Sequence, residues 1–129
     1  MRIKMLFLAG LLLMGSMAFV SPNNTPPKKM LRHVVLFKFK DSATPAQVKE
    51  VEDAFRALPS KIKQIKSLEW GTENSPEGLA QGFTHIFFVT FASEEDRAIY
   101  LPHPDHKEFG KILGPHLDKV LVVDYWTKE

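Results

Sequence analysis

The chain has 129 residues, with 17 Lys and Arg, 15 Asp and Glu and no Cys; the length favours one domain, and the missing Cys excludes disulfides, thiol catalysis and Cys-based metal or iron–sulfur centres. The formal net charge of +2 comes from Arg2 and Lys4, and without those two residues acids and bases balance, which argues against a nucleic-acid partner. Apolar residues at 44% and charged residues at 25% are the balance of an ordinary compact domain.

Residues 1–18 read as a signal peptide. Arg2 and Lys4 form a positive start, Met5 to Met14 is an uncharged apolar run, and Ser16-Met17-Ala18 supplies the small residues of a cleavage site. Cleavage after Ala18 implies export, to a periplasmic or secreted location. The apolar stretch is shorter than the roughly 20 residues that cross a bilayer, so no stable membrane span is expected after cleavage. Residues 19–30 carry Pro22, Pro26 and Pro27 among polar residues and read as a tether. The domain proper is expected over 31–129.

Arg32 to Lys40 alternates with a period of two, as a strand does: His33, Val35, Phe37 and Phe39 point one way, and Val34, Leu36 and Lys38 the other. Thr44, Pro45 and Gln47 form a helix start with a capping box. Val48, Val51, Phe55 and Leu58 mark the buried face of that helix, and Pro59 is expected to end it. A short strand follows at about Ile65 to Trp70, then a polar loop from Gly71 to Gly82. Phe83 to Phe91 is a second strong strand, with His85, Phe87, Val89 and Phe91 on one face. Ser93 caps a helix with Glu94, Glu95 and Asp96 in its first turn. Pro102 and Pro104 interrupt it, a further helix runs from about Asp105 to Leu113, and Val120 to Trp126 is the last strand.

This order, β-α-β-β-α-β, predicts an α+β fold of the ferredoxin-like plan. Helices cover one sheet face only, yet Val34, Leu36, Ile86 and Phe88 make the other face apolar as well. An uncovered apolar face needs a partner, so a homodimer through the open sheet face is expected, giving a dimeric α/β barrel.

With the first and third strands taken as parallel neighbours, His33 and His85 lie side by side. Asp124 and the turn holding Tyr100, His103 and His106 come to the same end, among Phe37, Phe87 and Phe109. Converging polar groups in an apolar setting are the usual form of a small-molecule site. Asp105 is expected to cap the second helix of the turn, leaving His106 in its first turn as a base. Asp124 would fix the tautomer of His106, and Tyr100 would donate to an oxygen that gains charge. His103-x-x-His106 has metal-ligand spacing, but Pro104 prevents a shared helical face and the Glu of a zincin motif is missing. No metal and no cofactor are expected.

RHVVLFKFK, GTENSPEGLAQGFTH, YLPHPDH and VLVVDYW, taken in order, resemble the stress-responsive A/B barrel (Dabb) domain family over about Arg32 to Trp126. The resemblance implies a dimeric barrel of ferredoxin-like protomers. It also implies one of two roles, since the family holds heat-stable stress proteins without a settled activity and a cofactor-free polyketide cyclase of the aldol type. In the cyclase a Tyr and a His around a His-Pro-x-His turn act on the substrate. Those positions correspond to Tyr100 and His106, with His33 and His85 lining the pocket and Asp124 matching the acid of the final strand. An exported chain would meet only a diffusible substrate, which disfavours polyketide cyclisation itself. The expected function is therefore an exported stress-responsive domain binding a small apolar or aromatic ligand in a His/Tyr-lined pocket. The alternative is a cofactor-independent acid–base enzyme, a lyase or cyclase, with His106 as base and Tyr100 as donor. Cofactor-free oxidation is a third class that no residue specifically supports.

Overall fold

The structure, a computed structural model, describes residues 28–128. The expected signal peptide and most of the tether lie outside the described residues. Strands β1 (Leu31–Phe39), β2 (Ser67–Thr72), β3 (His85–Phe91) and β4 (Leu117–Trp126) form one sheet, with helices α1 (Pro45–Lys61), α2 (Glu94–Tyr100) and α3 (Pro104–Leu113) between them. The fold is ferredoxin-like, as expected.

Local chemistry sets the elements. Thr44 and Gln47 make the reciprocal capping box ahead of α1, satisfying two backbone donors that a helix start leaves open. Pro59 does not end α1; it sits inside the last turn, and the helix runs to Lys61. A proline near the C-terminus removes one backbone bond, while the Ile62 amide still reaches the Leu58 carbonyl at 2.8 Å, so the turn continues. Ser93 caps α2. His103, not Asp105, caps α3: its Nδ1 accepts from the Asp105 amide at 3.2 Å, and Pro104 takes the first helical position.

The sheet order is β2-β3-β1-β4, and every neighbouring pair is antiparallel. The expected parallel pairing of β1 with β3 is thereby corrected. The β1-α1-β2 crossover leaves a one-strand gap between two strands of like direction, and the chain reverses after β2 to fill it with β3. A strand inserted in this way runs against both neighbours. In register His33 faces Val89 and Phe37 faces His85. Four residues of strand separate the two imidazoles, about 13 Å.

Period-two alternation buries Leu31, His33, Val35 and Phe37 of β1 and His85, Phe87, Val89 and Phe91 of β3 under the helices, facing Val51, Phe55, Leu58, Phe109 and Leu113. Phe55 stacks on Phe87 at 4.0 Å between ring centres, and Phe109 meets Phe55 edge-on at 4.9 Å. The other sheet face carries half-buried Val34, Leu36, Ile86 and Phe88 beside Leu121, Val123 and Tyr125, which are 44–48% exposed. The residue before β1 and the residue after β4 lie side by side, with the Met30 amide donating to Thr127 Oγ1 at 3.0 Å.

Candidate functional site

The site lies where the start of β1, the end of β4, the end of α2 and the start of α3 meet. Tyr100 is the last residue of α2, buried to 1% exposure. Leu101 to His103 turn the chain, and His106 follows in the first turn of α3. The turn brings the Tyr100 and His106 rings to 4.3 Å between centres. His33, also buried, meets Tyr100 edge-on at 5.9 Å. Between them opens a cavity of about 400 Å³, lined by His33, Tyr100 and His106 together with apolar side chains that include Phe37, Phe109 and Val122.

Hydrogen bonding fixes the protons. His106 Nδ1 is 2.9 Å from the Leu101 carbonyl; a carbonyl only accepts, so Nδ1 carries the hydrogen and Nε2 of the neutral ring keeps its lone pair. His33 Nδ1 is 2.7 Å from Asp124 Oδ1, and the same argument leaves His33 Nε2 as the free position. Asp124 Oδ2 accepts from Arg97 at 2.5 Å. Asp124 thus holds His33 and Arg97 and not His106, whose tautomer is set by backbone. Burial pushes the Tyr100 hydroxyl above its ordinary value of 10.0, because the low-dielectric wall disfavours phenolate. Tyr100 accordingly stays a donor across the neutral range.

His85 does not join this group. It is buried near the opposite end of β3, with Nε2 2.9 Å from Glu52 Oε1 and Nδ1 2.8 Å from Thr84 Oγ1. Both ring nitrogens are occupied, and Trp70 lies parallel to the ring at 6.4 Å. The reversed direction of β3 carries it away. Phe87 also lies outside the cavity, in the core beneath Phe55, whereas Phe37 and Phe109 line the cavity. Two residues escaped the sequence reading. Arg97 stands three residues before Tyr100, a spacing that puts both on one helix face. Glu52 adjoins Val51 on the flank of the buried stripe of α1, a place from which a carboxylate can reach a buried strand histidine. Among the described residues no group of three or more His, Cys, Asp or Glu side chains is gathered as a metal site, and no helix is long and apolar enough to cross a membrane.

The arrangement offers a base, a protonated phenol and a second imidazole in an apolar cleft. Known proteins share its frame. The sequence matches the Stress responsive A/B Barrel Domain (Dabb) family over residues 31–127. It is 44% identical over 98 residues to the stress-response A/B barrel domain-containing protein HS1 of Arabidopsis thaliana, covering 76% of this chain and 90% of that protein. It is 35% identical over 99 residues to olivetolic acid cyclase of Cannabis sativa, covering 77% of this chain and 98% of the cyclase. Among solved structures, the hydroxynitrile lyase from Passiflora edulis matches with a TM-score of 0.74 at 30% identity, covering 80% of this chain and 97% of that one. A ferredoxin-like protein from Bacteroides fragilis, described as dimeric, matches with a TM-score of 0.63 at 30% identity, covering 76% of this chain and 96% of its own. With the family pattern running from β1 through β4, this chain belongs to the stress-responsive A/B barrel domain family.

Proposed function

We propose that the chain binds a small apolar or aromatic molecule in this cavity and carries out cofactor-independent acid–base chemistry on it. The observation that carries the reading is the Tyr100–His106 pair, 4.3 Å apart on the cavity wall, with His106 Nδ1 committed to backbone. His106 Nε2 takes a proton from a hydroxyl, or from a carbon next to a carbonyl. The released electron pair makes or breaks a carbon–carbon bond, and the Tyr100 hydroxyl hydrogen-bonds to the substrate oxygen whose charge changes. The proton returns to the leaving carbon or to the product oxygen, so no oxidant or reductant enters the balance. Relatives named as a cyclase and a lyase support this class of step.

The test is turnover of aromatic β-hydroxy ketones and cyanohydrins, with binding followed by native mass spectrometry. Acid–base assistance by one positioned group is worth about 10²–10⁴-fold in rate, and His106→Ala and Tyr100→Phe should each lose turnover on that scale while remaining folded. Binding in the parent with no turnover would leave a ligand-binding domain alone. Turnover untouched in His106→Ala would end the assignment.

The same proposal includes a homodimer seated on the open sheet face. Val34, Leu36, Ile86 and Phe88 at its centre, continued by Leu121 and Val123 on β4, support a sheet-on-sheet seam, since apolar surface of this extent marks an interaction site. The dimeric description of a ferredoxin-like structural neighbour agrees with that reading.

A further inference from the structure

Resting on the acid–base reading of the cavity, we propose that Arg97 is a positioning residue that decides whether His33 offers the ligand a hydrogen-bond acceptor or a donor. Arg97 is not among the cavity-lining residues. It acts through Asp124: the guanidinium donates to Oδ2 at 2.5 Å, and Oδ1 receives His33 Nδ1 at 2.7 Å. The Asp124 side chain is 24% exposed and that of Arg97 26%, so the pair is partly withdrawn from water and its charges are felt.

Asp124 alone would draw His33 toward imidazolium, because a carboxylate at hydrogen-bond distance favours the charged ring. Arg97 on the other oxygen offsets that carboxylate and repels a second cation, and it cannot give up its proton. The ring then holds one hydrogen, on Nδ1, and its Nε2 has no protein partner among the described residues. The remaining titratable groups about the ring are Tyr100 from α2, a neutral phenol, and His106 from α3 across the cavity. Next to His33, β3 contributes only Val89 and Phe91. Glu94 on α2 is engaged by the Trp126 indole nitrogen at 3.2 Å. Lys107, the one further charged residue of the lining, is exposed.

A specificity follows. With Arg97 in place, the cavity presents two imidazole acceptors, His33 and His106, and one phenol donor. That set suits a neutral molecule bearing two hydroxyl-type donors and one further oxygen. Without the Arg97 charge, His33 becomes a cationic donor, and the same cavity suits an anion.

The experiment is long-range ¹H–¹⁵N spectroscopy of the imidazoles in ligand-free parent, Arg97→Gln and Arg97→Lys proteins, titrated across the neutral range. In the parent near neutrality His33 should carry its single hydrogen on Nδ1. Arg97→Gln should hold about tenfold more His33 imidazolium at a given pH above the midpoint, a displacement of about one pH unit, and Arg97→Lys should return it toward the parent. A purely structural role would lower the thermal midpoint of both variants and leave the His33 titration where it was. That result would overturn the proposal, as would an equal displacement in both variants. The readout needs no ligand, so it stands apart from any failure to find turnover, and its own failure would leave the His106–Tyr100 reading untouched.

Discussion

Tyr100 makes the cavity wall testable without a substrate. Its side chain is 1% exposed, and burial raises its hydroxyl well above 10.0. The unfolded chain releases that proton near pH 10, while the folded chain keeps it. The linked stability is therefore complete below about pH 10 and is lost as the pH climbs from there toward the folded value. Over an interval from about pH 9 to pH 11 one such proton amounts to about 1.4 kcal/mol, the free energy of one pK unit. Urea unfolding of the parent and of Tyr100→Phe, at one protein concentration and followed by far-ultraviolet circular dichroism, reads the difference. Tyr125, 46% exposed, and the lysines are common to both proteins, so whatever they contribute cancels in the difference. The parent should lose about 1.4 kcal/mol more than the variant over that interval. Parallel pH profiles would mean that Tyr100 ionises in the folded state with its hydroxyl in water, and the argument for a protonated donor on a dry wall would fail.

Two further outcomes follow from the packing. Phe87→Ala should cost about 3–5 kcal/mol in chemical denaturation, and Phe109→Ala should cost less, because Phe87 is enclosed at 0% exposure while Phe109 already faces a cavity; equal losses would contradict the placement of the cavity. Leu36→Glu puts a carboxylate at the centre of the open face, opposite Ile86 and Leu121. Sedimentation at micromolar concentration should find the parent dimeric and this variant monomeric with its circular dichroism unchanged, and a monomeric parent would refute the seam.

Much of the fold was legible because it is written locally. The alternation through His33, Val35 and Phe37, the Thr44 capping box and the proline break after Tyr100 each rest on neighbours within a few positions, and each appears as read. Strand direction does not rest on neighbours. Nothing in His85-Ile86-Phe87 tells which way β3 runs beside β1; that depends on where the crossover through α1 leaves room. The one misread direction sent His85 to the wrong end of the sheet and hid its partner Glu52. Asp124 was placed in the right neighbourhood but given the wrong partner, since the contest between His33 and His106 for its carboxylate is decided by the register of β4 against β1, in which His33 and Asp124 stand opposite each other. Arg97 was missed because its value lies in the carboxylate across the turn and not in its own helix.

One strand divides its residues between two environments. Val120 and Val122 of β4 line the cavity, while Leu121 and Val123 between them look out from the other side of the sheet, and all four are about half exposed. A guest settling against the first pair and a second protein molecule settling against the other would steady the same short ribbon. By mass action, whichever arrives first lowers the ordering cost met by the next, so affinity measured on dilute protein should differ from affinity measured on concentrated protein.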